Sequence, residues 1–428
     1  MSSPQLLTMK QAKTQHSTYY WFVMSGIMNA VMFSLFNPFT VKFLERIGGN
    51  DFHISLLNSL PGLVGVAVSL PGAVWLTGRR GRGLKALTVD FTLASRLMLL
   101  ALVPLVWLSP QWAPVCCVVL LALKNVPESI SQTAFQGLTG DLFAPEDRST
   151  AITQRSLYSV PATLLVSLLS GVALSVLPGN DAQRLTMYQG FFLVATAVGV
   201  VEVLMMRRMG DPAHGEAMKE ERPPLRQMLA TLLKNKRYLA YTGASLVFYF
   251  TWQMGWPLFS IYQIFHLGAN ELWLSVMNVL SAIGMFVGYR FWNRFILRWG
   301  NGRTAVFATL GMALNPVVMA IFPNLYWVTL TNLLAGFVTA GTSTVLLNAL
   351  LEVSPRQNRV VYVGAYNTLV NLSLCVSPFA AYFLLQGTGI ILALVAVSGF
   401  RLIGSLAFWL YTRKADRHAA NDALAESD

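Results

Sequence analysis

Val115-Cys116-Cys117-Val118-Val119-Leu120-Leu121-Ala122 runs without a break into Leu123-Lys124-Asn125-Val126-Pro127-Glu128-Ser129-Ile130-Ser131-Gln132. Together they read as one membrane-spanning helix, from near Trp112 to near Leu138. At about 1.5 Å rise per residue, Lys124 lies roughly 18 Å in from the Trp112 end, close to mid-bilayer. Lys124 and Glu128 are four apart and share a helix face. A charge at that depth costs about 2.5–3.5 kcal/mol on insertion scales, and such residues face a bundle interior or a wet cavity. The default reading is a functional site; the bland alternative is a self-neutralising ion pair that lowers insertion cost. Pro127, beside the pair, is expected to kink or unwind the helix and free carbonyl groups.

The rest of the chain has the same character. Its 428 residues are 54% hydrophobic and 12% charged, against about 25% charged in a soluble domain. Twelve apolar spans follow one another at 19–44, 53–76, 86–108, 113–138, 150–177, 186–206, 238–264, 271–292, 303–322, 325–350, 361–385 and 388–411. Long apolar runs of this kind make helices rather than barrel strands. Short turns alternate with basic loops: Gly48-Gly49-Asn50-Asp51, Ser109-Pro110, Pro178-Gly179-Asn180, Gly268-Ala269-Asn270, Phe322-Pro323-Asn324 and Gln386-Gly387-Thr388.

The net charge of +12 could suggest nucleic acid, but its distribution decides otherwise: 25 of the 31 Lys and Arg fall on one side of the spans and three, Lys42, Arg46 and Arg184, on the other. By the positive-inside rule both termini are cytoplasmic, and nucleic acid is not a partner. The polar first residues and the long first span do not fit a cleaved signal peptide. Cys116, Cys117 and Cys375 lie inside spans, and His16, His53, His214, His266 and His418 are scattered. No disulfide framework, metal site or cofactor is expected. No phosphate-binding loop or nucleophile elbow is present, so an enzyme is not expected either.

The expected organisation is a cytoplasmic tail over 1–18, a six-helix bundle over 19–206, a cytoplasmic loop over 207–236, a second bundle over 237–411 and a tail over 412–428. Residues 225–233 of the loop allow an amphipathic helix on the inner leaflet, with a plain linker as the alternative. The halves echo each other: Pro38 and Pro257, and Gly49 and Gly268, are both 219 residues apart, and Ser55 and Asn58 match Ser275 and Asn278 at 220. Arg79-Arg80-Gly81 matches Arg298-Trp299-Gly300. Internal repeats of six spans are a transporter feature.

On these residues the chain resembles the major facilitator superfamily over essentially all twelve spans. The family's loop after spans 2 and 8 runs Asp-Arg-x-Gly-Arg-Arg; here the copies read Gly78-Arg79-Arg80-Gly81-Arg82-Gly83 and Leu297-Arg298-Trp299-Gly300-Asn301-Gly302-Arg303, without the aspartate. Asp141 fits the carboxylate that meets this loop, and Asp141-Leu142-Phe143-Ala144-Pro145-Glu146-Asp147-Arg148 resembles the span 4–5 loop. Pro355 to Arg359 is its counterpart after span 10. The resemblance implies gating loops carrying Arg79, Arg82, Asp141, Arg148, Arg298 and Arg359. The drug–proton antiporter signature Gly-Pro-x-x-Gly-Gly is absent from span 5.

The resemblance also implies that spans 1, 4, 7 and 10 line a central path. Solute-site candidates are then Asn29 and Asn37 in span 1, Lys124, Asn125 and Glu128 in span 4, and Arg155 in span 5. The second half adds Tyr249, Trp252, Gln253 and Trp256 in span 7, of which Tyr249, Gln253 and Trp256 fit one helical face, Asn348 in span 10, and Tyr366 and Asn367 in span 11. Trp252 and Trp256 have an interfacial belt as the alternative. Arg96 and Arg401 sit mid-bilayer on peripheral spans and read as packing residues. Glu202, one turn before Arg207, reads as a snorkelling or end-paired carboxylate. The expectation is a monomeric secondary transporter for a small, amphipathic or partly polar organic solute, working by alternating access in the bacterial cytoplasmic membrane. Glu128 permits proton coupling, and uniport is the alternative. The rival class is a receptor, sensor or assembly partner on the same fold.

Overall fold

A computed structural model describes residues 3–76, 82–143, 145–210, 232–355 and 359–425. Among them every regular element is helical. Span 1 is Ser3–Phe36, carried on through a 3₁₀ turn at Asn37–Phe39 into Thr40–Arg46. Span 2 is Asp51–Leu76, and span 3 is Arg82–Leu97 running into a 3₁₀ stretch, Met98–Trp107. Spans 4, 5 and 6 are Ala113–Leu142, Pro145–Val176 and Asp181–Arg208. Span 7 is Lys236–Ile261, ending in a π-turn at Tyr262–His266. Glu271–Ile321 contains spans 8 and 9, and Leu325–Val353, Arg359–Thr388 and Ile390–Ala425 are spans 10, 11 and 12.

Ten of the described helices are long and apolar enough to cross a membrane. The count of twelve follows from two particulars. A 51-residue helix would measure about 77 Å, more than twice an apolar core of about 30 Å. It folds back at Gly300, whose φ of 77° breaks the helical path; only glycine adopts that value cheaply. Span 7 falls below the others in apolarity because tyrosine, threonine, tryptophan and glutamine occupy much of it.

The turn residues cap the helices. Asn180, Asn270 and Asn324 accept from the backbone N–H of Gln183, Trp273 and Tyr326 at 2.8, 3.0 and 2.8 Å, and Asn235 does the same for Tyr238 at 3.0 Å. Each satisfies one of the orphan donors at a helix start. The three cations of the sparsely charged side all meet acids: Lys42 with Glu45 at 3.1 Å, and Arg46 and Arg184 with Asp181, each at 2.9 Å.

Two compact units are present: Met1–His53 with Ala67–Glu220, and Ile54–Val66 with Glu221–Asp428. The first half of span 2 thus goes with the second unit, where Gly62 and Gly65 lie on span 11. A Cβ on Gly62 would stand 2.4 Å from the Cys375 backbone nitrogen, and one on Gly65 2.5 Å from the Asn371 side chain. In the first unit span 1 packs on spans 5 and 6, and span 3 on span 4. Phe22, Ala134, Leu138, Phe143 and Val203 form a core there. In the second unit span 7 packs on spans 11 and 12 around Tyr238, Tyr241, Phe248, Tyr362 and Phe408.

Candidate functional site

In the first unit the Lys124–Glu128 pair forms as expected, with Nζ 3.5 Å from Oε2. It is not alone. Arg96 of span 3 donates through Nη1 to the same Glu128 oxygen at 2.5 Å, and Ser95 Oγ donates to it as well. Arg96 Nε and Nη2 donate to the two oxygens of Glu202 on span 6, at 3.0 and 3.4 Å. Asn29 of span 1 donates to Glu202 Oε1 at 3.0 Å, and Gln132 reaches Glu128 Oε1 at 3.4 Å. Four helices therefore converge on Arg96, whose planar fork holds two carboxylates at once. Arg96, Lys124, Glu128 and Glu202 are 2, 4, 7 and 0% exposed.

Span 1 covers this cluster with rings. Phe33 lies 5.4 Å from both the Arg96 guanidinium and Lys124 Nζ, and Phe36 lies 5.6 Å from Lys124. Such contacts suit a cation withdrawn from water. Further along span 1, Arg155 of span 5 donates through Nη1 to the Phe22 carbonyl at 2.9 Å and to Ser25 Oγ at 2.8 Å. Its guanidinium faces Phe22 and Phe135, 4.9 and 4.5 Å from the ring centres.

Sequence reasoning set Arg96 apart as a packing residue and placed Glu202 among the basic residues at the end of span 6. The structure joins both to Lys124 and Glu128. Their partners lie 32 and 106 residues from Arg96 along the chain, beyond any local pattern. The usable signal was that two carboxylates inside apolar spans each need a cation on another helix. Pro127 does not unwind span 4, which stays helical from Ala113 to Leu142.

The second unit gathers its candidates differently. Tyr249, Trp252 and Trp256 form a chain of rings, with centres 5.5 and 6.0 Å apart, and Tyr249 meets Tyr366 edge-on at 6.3 Å. Gln253 is buried away from that chain, accepting from Ser373 Oγ at 2.8 Å and donating to the Val370 carbonyl at 3.4 Å. Tyr249, Gln253 and Trp256 thus do not act as one face: Trp256 is exposed and Gln253 enclosed. Asn37 and Asn367 are exposed, and Asn125 and Asn348 half-buried. Of the loop residues, Arg298 is exposed. Arg79 lies outside the described residues, as do residues 225–231 of the expected loop helix, and of Arg82, Asp141, Arg148 and Arg359 only the backbone is described.

Arg401 of span 12 is fully buried and forms no ion pair with a carboxylate among the described residues. It donates to the carbonyls of Met312, Trp252 and Thr251 at 2.8, 2.9 and 3.5 Å, and Phe259 lies 5.2 Å from the guanidinium. No group of His, Cys, Asp and Glu able to hold a metal occurs among the described residues.

The family model of the Major Facilitator Superfamily matches residues 22–289 and again 241–427. The chain belongs to the Major Facilitator Superfamily. Among solved structures it is similar to a bacterial homologue of the human lysosomal transporter Spinster, captured inward-facing and unoccupied. That likeness has 13% identity and a TM-score of 0.68, over 94% of this chain and 97% of the other. The nucleoside transporter NupG, in a mutant form, is similar at 13% identity and TM-score 0.70, over 91% and 99%. A POT family transporter in complex with 5-aminolevulinic acid is similar at 10% identity and TM-score 0.67, over 94% and 96%. No curated relative matches in sequence. This superfamily member is an integral, multi-pass membrane transport protein and not an enzyme.

Proposed function

We propose that the protein is a secondary transporter that moves a small, partly polar organic solute by alternating access, and that the Lys124–Glu128–Arg96–Glu202 cluster is its solute-linked centre. The buried cluster is the observation that carries this reading. Four charges withdrawn from water inside apolar helices cost several kcal/mol each before pairing, and a leucine-lined bundle would be more stable. A polar stripe on span 4 runs beside them: Asn125, Ser129, Gln132, Thr133 and Gln136 follow the helical repeat and are half-buried or exposed. Polar residues open to the surroundings within a membrane point to water rather than lipid.

Proton coupling through Glu128 belongs to the same proposal. A solute that draws Lys124 away leaves Arg96 as the one cation on Glu128, and Arg96 must divide itself between two carboxylates. That division offers a switch between protonated and paired states. The two bundles over 19–206 and 237–411, the loop over 207–236, a monomeric state and cytoplasmic termini in a bacterial inner membrane complete the proposal. Thermal stabilisation of purified protein across a metabolite panel identifies a solute, and proteoliposome uptake under a pH gradient tests the coupling. Glu128→Gln is expected to abolish pH-driven accumulation while leaving downhill exchange. Unchanged pH-driven uptake by Glu128→Gln overturns the coupling, and a panel solute that binds but never crosses overturns transport.

A further inference from the structure

Lys124 and Arg155 hold donor capacity that the described residues do not use. The Lys124 ammonium has three N–H groups, and among the described residues its one acceptor is Glu128 Oε2 at 3.5 Å. That oxygen already takes Ser95 and Arg96 at closer range. Arg155 uses one of its three nitrogens, on a carbonyl and a hydroxyl; among the described residues its Nε and Nη2 have no acceptor, and no carboxylate forms an ion pair with it. Counting charge along this face of span 1 gives three cations (Lys124, Arg96, Arg155) against two carboxylates (Glu128, Glu202). The excess is positive.

The order along span 1 matters as well. Arg155 sits at Phe22 and Ser25, Glu202 at Asn29, Arg96 at Phe33 and Lys124 at Phe33 and Phe36. Ser25 to Phe36 covers about 16 Å of helix. A cation therefore stands at each end, with both carboxylates tied up by Arg96 between them. Gly26 preserves the inner end, because a Cβ there would stand 2.4 Å from the Arg155 side chain.

We propose that the transported solute is an organic anion, bearing a carboxylate or a phosphate monoester, and that Lys124 is its anchor, with Arg155 supplying the excess charge that draws it in. The rings of Phe33 and Phe36 beside Lys124 suit an apolar or aromatic body attached to that acidic group. This rests on the transport reading, and deepens it.

The charge of the path can be read without knowing the solute. Ser129, half-buried on the open stripe of span 4 one residue from Glu128, is replaced by cysteine in a chain whose Cys116, Cys117 and Cys375 are alanine. Two reagents of similar size are compared, the anionic sulfonatoethyl and the cationic trimethylammonioethyl methanethiosulfonate, with rates normalised to a free small thiol. The sulfonate is expected to react roughly tenfold faster, since charged clefts concentrate counter-ions by at least that factor. Lys124→Gln and Arg155→Gln should each lower the ratio, and Lys124→Arg should keep it. A ratio at or below one overturns the proposal, as does failure of both reagents to react. The unsubstituted cluster decides even where Lys124→Gln fails to fold. A sulfonate preference with an anionic panel solute that binds but never crosses leaves the anion assignment standing and overturns transport; transported amines with a ratio below one do the reverse.

Discussion

Arg96 and Arg401 are both large cations enclosed in apolar helices, at 2 and 0% exposure, yet they are satisfied in opposite ways. Arg96 meets two carboxylates on two other helices. Arg401 meets three backbone carbonyls on span 7 and the span 8–9 helix, with a phenyl face and no counter-charge. The first arrangement is ionic and exchangeable: each carboxylate has a second donor, so Arg96 can favour one or the other. The second is a fixed joint, because a backbone carbonyl moves only with its helix. The difference teaches that a mid-membrane arginine is not by itself a solute residue; its partners decide what it does.

The largest expected effect separates the two. Arg96→Met leaves Glu202 with Asn29 alone and no cation, and should cost about 3–5 kcal/mol, as breaking buried pairs does. Arg401→Met leaves carbonyls without donors and should cost about 1–3 kcal/mol. Chemical unfolding in mixed micelles measures both, and equal losses would break the comparison.

Rescue comes next. Glu202→Gln in the Arg96→Met background should recover part of the loss, with a coupling of about 0.5–3 kcal/mol in a double-mutant cycle. Additive losses would mean that Arg96 acts by packing alone. No carboxylate-to-amide change in the second unit should rescue Arg401→Met.

The neighbouring glycines sharpen the contrast further. A Cβ on Gly255 would meet Arg401 Nη2 at 2.3 Å, and one on Gly199 would meet the Arg96 methylenes at 2.8 Å. Overpacking costs about 1–3 kcal/mol, and Gly255→Ala should lie at the upper end because the guanidinium it strikes is held on three sides. A more damaging Gly199→Ala would reverse the assignment of which joint is fixed. The smallest effect is a control: Gly243, in span 7 with nothing within 4 Å of its Cβ position, should tolerate alanine and gain up to about 0.5–1 kcal/mol.

The sequence made the helical class, the spacing of the turns and the Lys124–Glu128 pair legible, because each depends on residues within a turn or two of one another. Asn180, Asn270 and Asn324 announced helix starts for the same reason. What it concealed depends on distance. Arg96 finds Glu202 only when spans 3 and 6 pack, and Glu202 was drawn toward Arg207 by nearness in sequence. Gln253 carried a helical face shared with Tyr249 and Trp256, but its amide turned to span 11, where Ser373 and the Val370 carbonyl satisfy both ends. The fold-back at Gly300 was marked by its basic loop, whereas the assignment of residues 54–66 to the second unit had no local sign.

The buried Arg96 and Arg401 and the half-buried Arg155 each lie against a helical glycine of a neighbouring span: Arg96 on Gly199, Arg155 on Gly26 and Arg401 on Gly255. The arginine fills the volume that a side chain would otherwise take, so the two positions make one unit of inheritance. In a lineage that loses the arginine, the glycine is released and free to drift to alanine or serine; while the arginine stays, the glycine cannot change first. These pairs should therefore vary together among descendants of this chain, with the arginine always the earlier of the two to go.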